Sequence, residues 1–532
     1  MRALKPCLIL PALLLFYGFA YAPFGINETD GGFLTGLAWQ VLQGKILYTE
    51  VLYVRPPLPV WLHAAYLWLA PDTWAMLGER WLFYLKVMLY CWWGCGVLWR
   101  GLDRVWTTAF AFVLSAHNYP AAAWHTIDGI FFAALGLYAY FRGRGAASGL
   151  FAGACLAAAA LCKQSFYPLI PVFLLLLLLS GVCDARNRWA LTGMLGMFTA
   201  TGVVLQQQHA LSAFWALTQA AAGAGDALQH GVLDYFRLHP AVLAGSALVG
   251  VWAFRSKNPW GMPLLAGFLV LTFLGQVLQH RDFVVPRSQI RVLFWLAAGA
   301  LVWQLWQCRR LDADLLKPAS LLAIAWCSAV SWGYNLPVLF AVPLIWGVSS
   351  AECGMRNAEW NVLSAECGMR NAEWNVRYTA IWVALVVVFG VALRYVYRDG
   401  PRSHMTVHLG AVFPRLAGIY SSATTADLYR DLADLHRRYG DRFAVLPAFP
   451  QAGYLCDTRP LLPLDWVVTR ETGGRADLLE KTAAQENPYF FVEKSWSNRL
   501  NTDPELAFTR HITQQATLIE TTTHFYVYRL HP

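Results

Sequence analysis

"PPLPVWLHAAYLWLA", residues 56–70, is the stretch whose reading decides the fold. It is apolar, but it opens on two prolines and falls short of the roughly twenty residues a helix needs to cross a bilayer. Taken as a crossing, it would put every arginine pair after it on the wrong face of the membrane. Taken as an interfacial or re-entrant helix inside one large external loop, residues 23–79, it restores a consistent topology.

Working outward, apolar runs near crossing length occur at about 8–22, 80–99, 104–120, 123–141, 146–162, 166–182, 189–206, 240–254, 259–279, 291–307, 318–332, 335–350 and 378–396. That is about thirteen transmembrane helices. With the N-terminus cytoplasmic, alternate loops carry Arg100 and Arg104, Arg142 and Arg144, Arg186 and Arg188, Arg255 and Lys257, Arg309, Arg310 and Lys317, and then Arg356, Arg370 and Arg377. The opposite loops are poorer in Lys and Arg, as the positive-inside rule requires. Arg2 and Lys5 precede the first run, and no clear small-residue cleavage site follows it, so a retained anchor is expected.

Composition agrees. The 532 residues are 57% hydrophobic and only 14% charged, with a mean hydropathy of +0.41, outside the balance of a soluble globular chain. The net charge of +9 is spread over short gaps between apolar runs, which fits topology and not a nucleic-acid partner. Of eleven cysteines only Cys456 lies in the polar C-terminal region, so no disulfide framework is expected. From about residue 398 the pattern changes. "TADLYRDLADLHRRYG" and "RADLLEKTAAQ" have helical period, whereas "RFAVLPAF", "PYFFVEK" and "HFYVYRL" are strand-like. Residues 1–397 are therefore expected to form a helical polytopic membrane domain and 398–532 a small extracytoplasmic α/β domain. Within the latter, "FPQAGYLCDTRPLLPLDW" could lean on the membrane surface or be a packed loop. "AECGMRNAEWNV" occurs twice, at 351–362 and 365–376; two copies are too few for a solenoid, and no function is assigned.

The external loop begins with "INETDGG", which sets Glu28 and Asp30 at the outer membrane surface. Asp30 could simply cap the helix that follows, a common use of aspartate. "TDGGFLTGLAWQVLQGKILYTEVLYVRPPLPVWL" also resembles the first external loop of polyprenyl-phosphate-sugar-dependent glycosyltransferases of the GT-C superfamily. That group includes protein mannosyltransferases, the lipid A aminoarabinose transferase and the RgtA/B/C/D-like enzymes. The matching residues are Asp30-Gly31, Ala38, Gly44 to Tyr48, and Arg55-Pro56-Pro57; Thr29 stands where many relatives have Asp, which leaves Asp30 and Glu28 both open. "LAAAALCKQSFYPLIPVFLLLLL", 156–178, is similar to the family's Lys-Gln element, and "HTIDGIFFAALGLYAYFR", 125–142, to a segment at an outer helix start.

The resemblance implies an enzyme that takes a sugar from a polyprenyl phosphate and gives it to a lipid, glycan or protein acceptor on the outer face, where nucleotide sugars are absent. It also implies a bacterial inner membrane location. In such a reaction Asp30 or Glu28 serves as the general base. Arg55 and Lys163 neutralise the departing phosphate, with Gln164 and Tyr53 beside them. His125 and Asp128, three apart on one helical face, could position donor or acceptor, and Arg281 and Arg287 could meet phosphate or lipid head groups. Each has a plainer reading as a helix-end, packed or rim residue. No cofactor follows, no metal-ligand spacing is evident, and a divalent cation, used by some relatives, stays open. An O-antigen ligase or polymerase and a polytopic transporter or lipid flippase are the rival classes, the latter expected to show ionisable residues near the midplane.

Overall fold

A computed structural model describes residues 8–116, 121–181, 184–220, 313–330, 395–396 and 399–530, with a few single positions between 240 and 302. Eight of the thirteen expected spans fall on described residues, and each is helical. They are α1 (Ile9–Ala20), α4 (Ala75–Leu98), α5 (Gly101–Ala116), α6 (His125–Arg142), α7 (Gly145–Ala160), α8 (Leu169–Leu179), α9 (Ala185–Gln207) and α11 (Ala313–Val330). The other five, the repeat at 351–376, and Arg281 and Arg287 lie outside the described residues, so the full count of thirteen rests on sequence. Two described helices, residues 72–98 and Ala185–Gln207, are long and apolar enough to cross a membrane; the other apolar helices are shorter.

Between α1 and α4 lie α2 (Phe33–Leu42) and α3 (Leu58–Leu69). Helix α3 is the decisive stretch, and its 12 residues reach only about 18 Å, too short to cross. Its far end leaves Trp68 and Leu69 largely exposed.

Helices α4, α6, α7 and α9 pack side by side in that order, α5 lies against α4, and α11 lies against α6 and α8. Small residues permit the closest of these approaches. A Cβ at Gly149 or Gly153 of α7 would strike the α9 carbonyls of Arg186 and Ala190, and one at Gly193 of α9 would strike that of Leu150. Away from these seams the helices show Leu15, Phe16, Phe19, Leu175, Leu178, Leu195 and Val203 to the outside. So broad an apolar surface suits lipid and not water.

Helix α6 runs from His125 at one end of the bundle to Arg142 at the other, where the Arg142 guanidinium donates to the carbonyls of Gly96 (2.7 Å) and Trp99 (3.2 Å). Arg104 donates to the Trp92 carbonyl at 3.0 Å near the same end. Among the described residues, the arginines at 100–104, 142–144 and 186–188 and the Asp30 loop therefore occupy opposite ends.

The C-terminal part is an α/β unit, as its pattern predicts. Strands β1 (Phe443–Leu446), β2 (Tyr489–Glu493), β3 (Ala516–Thr521) and β4 (Phe525–Leu530) form a sheet in the order β1-β2-β4-β3, parallel between β1 and β2 and antiparallel elsewhere. Helix α12 (Ala423–Tyr439) buries Tyr429, Leu432 and Leu435, and the Ser422 side chain caps it by accepting from the Thr425 N–H. Helices α13 (Ala476–Glu486) and α14 (Ala507–Gln515) complete the unit.

This unit is clamped onto the external loop. Tyr420 exchanges main-chain hydrogen bonds with Gly25 and Pro23, each 2.7 Å, and the Ile26 N–H donates to Asp399 at 2.8 Å. Leu52 donates to the Pro463 carbonyl, and the Trp39 indole to that of Thr458, each at 2.8 Å. Residues 449–466 are thus a packed loop, with Phe449, Leu462, Leu464 and Trp466 buried. Glycine makes the clamp possible, because a Cβ on Gly36 would meet the Pro450 carbonyl oxygen. Gly36→Ala is expected to cost on the order of 1–3 kcal/mol and to lower the melting midpoint of the purified protein. Gly196→Ala, which points into open space on α9, should leave it unchanged. Equal midpoints for the two variants would show that the clamp has slack.

Candidate active site

Five chain segments meet where the loop, the bundle end and the C-terminal unit join. They are the 26–33 turn, the extended stretch 52–57, the start of α6, the α7–α8 turn, and residues 466–471.

Asn27 shapes the first by accepting from both the N–H and the hydroxyl of Thr29, each at 2.8 Å. The chain then turns through a one-turn helix, Asp30–Gly32, before α2 begins. The cap positions of these two helices are Thr29 and Gly32, so Asp30 is not the cap that its sequence position suggests. Its side chain is buried instead.

The second segment is pinned on both flanks. Gln164 donates to the Val54 carbonyl at 2.6 Å, and the Tyr48 hydroxyl donates to the Arg55 carbonyl at 2.8 Å. Tyr48 itself sits at φ 75°, which ends the Gly44-to-Tyr48 turn. Thus held, Arg55 lies 5.1 Å from the centre of the Phe33 ring and gives both terminal nitrogens to Glu471, at 2.5 and 2.7 Å. Burial pushes the Glu471 carboxyl up, but the Arg55 charge and its two hydrogen bonds outweigh that and hold it below the usual carboxylate range. Arg55 was expected to face a phosphate; here its fork faces a carboxylate.

Lys163 follows α7 and donates to the Thr126 hydroxyl at 3.0 Å. The charges of Arg55 and Glu471 act on it, those of Lys163 and Arg55 act on His125, and that of Asp30 acts on Arg55. Tyr53 feels Arg55, Glu471 and Asp128. Asp30, Tyr53, Arg55, His125 and Lys163 therefore share one locus. Gln164 braces its frame.

Two expected residues serve other contacts. Asp128 forms an ion pair with Lys86 of α4 at 2.5 Å, well buried. Glu28 faces Tyr429 and Glu493 of the C-terminal unit, and its charge, after burial, helps push the Glu493 carboxyl up to about 7. Glu28 thus acts on the C-terminal unit, and Asp30 on Arg55.

Sequence reading passed over Glu471, Phe33 and Trp466, the last with its ring 5.1 Å from that of Phe33. Phe33 carries no signal beyond apolarity, and Glu471 stands 416 positions from Arg55 with nothing local to mark it. Among the described residues no three His, Cys, Asp or Glu side chains converge as metal ligands.

No model of a known protein family matches the chain, and no curated protein does. Solved structures resemble it, among them the two that follow. One is archaeal oligosaccharyltransferase AglB from Archaeoglobus fulgidus in complex with an inhibitory peptide and a dolichol-phosphate: 12% identity, 98% of this chain and 74% of that one, TM-score 0.48. The other is ArnT from Cupriavidus metallidurans bound to undecaprenyl phosphate: 14% identity, 98% of this chain and 97% of that one, TM-score 0.42. At identities this low the functional reading rests on the side chains themselves.

Proposed function

We propose that the chain is an integral membrane glycosyltransferase of the GT-C type that moves a sugar from a polyprenyl-phosphate donor to a lipid, glycan or protein hydroxyl on the outer face. The supporting observation is one buried acidic side chain, Asp30, at the membrane-domain end opposite the described arginine pairs, its charge acting on Arg55, which in turn acts on Lys163.

The reaction is a direct displacement. The acceptor oxygen bonds to the anomeric carbon as the bond from that carbon to the phosphate oxygen breaks. Asp30 takes the acceptor proton, and the lipid phosphate leaves with the electron pair. Lys163 is the cation assigned to that phosphate, since the Arg55 fork is occupied by Glu471 and orders the loop instead. The lipid tail lies along the apolar helix surfaces. The C-terminal unit closes the site from above and contributes Glu471.

Undecaprenyl phosphate and undecaprenol, each offered to the full-length protein in nanodiscs, test this reading. The phosphate should bind and the alcohol should not compete. Lys163→Met should weaken phosphate binding by about 10-fold or more, the value of a hydrogen bond to a charged partner. Equal binding of the two lipids, or an unchanged Lys163→Met, would reject the assignment.

A further inference from the structure

The rings around Phe33 carry polar atoms that the fold leaves without partners. The Phe33 centroid lies 5.1 Å from Trp466, 6.2 Å from His125 and 6.3 Å from Tyr53. All four side chains are buried, with Tyr53 and His125 at 1% exposure and Trp466 at 7%. Yet the Tyr53 hydroxyl, both His125 ring nitrogens and the Trp466 indole N–H have no hydrogen-bond partner. A buried polar group left so is unfavourable. Four such atoms on three side chains around one phenylalanine, within reach of the Arg55 charge, are a concentration that packing alone does not explain.

Their chemistry is uniform. A tyrosine hydroxyl gives and accepts, a neutral imidazole has one donor and one acceptor, and an indole gives. None is a full charge. The charged groups beside them are matched to one another: Arg55 is paired with Glu471, and Lys163 is assigned to the donor phosphate. Aromatic faces set with a few placed dipoles suit a ligand of apolar faces and hydroxyl edges.

We infer that Tyr53, His125 and Trp466, arranged about Phe33, form the subsite that selects an uncharged, hydroxyl-bearing sugar on the donor. An amino sugar or a uronic acid would bring a full charge against three uncharged groups, while the nearby Arg55 and Glu471 are already paired with each other, so that charge would be buried without a counter-ion of its own. The inference rests on the proposed donor class. It adds that the C-terminal unit, through Trp466, reads the sugar while the bundle holds the phosphate.

Four probes separate the two ideas: undecaprenyl phosphate, undecaprenyl-phosphate-linked glucose, the same lipid carrying 4-amino-4-deoxyarabinose, and the same lipid carrying galacturonic acid, each bound to the full chain in nanodiscs. The glucose lipid should bind about 10-fold tighter than the bare phosphate, and each charged-sugar lipid no tighter than the bare phosphate, one hydrogen-bonded contact being worth about that factor. Tyr53→Phe and Trp466→Phe should each remove most of the glucose advantage, and Trp466→Phe should leave bare-phosphate binding as it was. That second readout also reports folding, because a misfolded variant loses both. A charged sugar binding as well as glucose, or an advantage intact in both variants, overturns the subsite. Failure of bare undecaprenyl phosphate to bind would instead bring down the donor class beneath it.

Discussion

Asp30→Asn should lower transfer from a polyprenyl-phosphate sugar by roughly 10²- to 10⁴-fold, the usual contribution of a positioned general base. The amide keeps the size and the burial of the side chain but cannot take a proton, so the loss should fall on turnover while donor binding changes little. Glu28→Gln is the informative companion. Its charge acts on Tyr429 and Glu493 of the C-terminal unit, so turnover in that variant should stay within about threefold. The contrast removes an ambiguity that the sequence left open, since the two carboxylates stand only two positions apart and Thr29 occupies the place of a second aspartate. Glu28 acts on the C-terminal unit, whereas Asp30 opens the one-turn helix and acts on Arg55, and no periodicity predicts that. Steady-state transfer with both variants, alongside melting curves, checks the assignment. Full turnover in Asp30→Asn, or collapse in Glu28→Gln with Asp30→Asn active, would transfer the role or abolish it.

How much of this was readable in advance depends on whether a residue's partner is local. Spans, strands and the short α3 follow from hydrophobic period and length, which are properties of a dozen neighbours. The five residues of the locus were recoverable because three motifs, at 30–57, 125–128 and 163–164, lie at helix ends on one side of the bundle. Helix α4 shows the limit. Its expected start at residue 80 left Glu79 and Arg80 at the span's edge, yet the helix begins at Ala75 and contains Glu79, Arg80 and Lys86. Each finds a distant partner. Glu79 accepts from the Ala123 N–H at 2.5 Å and the Thr35 hydroxyl at 3.1 Å, Arg80 donates to the Ala22 carbonyl at 2.9 Å, and Lys86 pairs with Asp128. Charges inside a span are therefore no mark of a transport path here. They tie the helix to the loop and to α6, and an apolarity scan counts them only as interruptions.

Glu471→Gln should be strongly destabilising. Arg55 and Glu471 are the direct ion pair between the external loop and the C-terminal unit at the site, with side-chain exposures of 20% and 4%. Removing the anion leaves a largely buried guanidinium without the carboxylate its fork is paired with, a loss of about 3–5 kcal/mol for a fully buried pair. The partial exposure of Arg55 places the effect at the lower end. Replacing both partners by methionine should cost much less, because two uncharged side chains of similar length need no solvation. The ordering, with the single variant worse than the double, is the test; a double variant at least as unstable as Glu471→Gln would mean that packing, not charge, holds the two parts together. Acid supplies an independent reading. Because the folded Glu471 sits below its ordinary value of 4.5, its contribution is present above that value and is lost as pH falls through the lower, folded one. Wild-type protein should accordingly lose stability in acid more steeply than Glu471→Gln. Parallel pH profiles for the two would place the stabilising proton-linked group elsewhere in the interface.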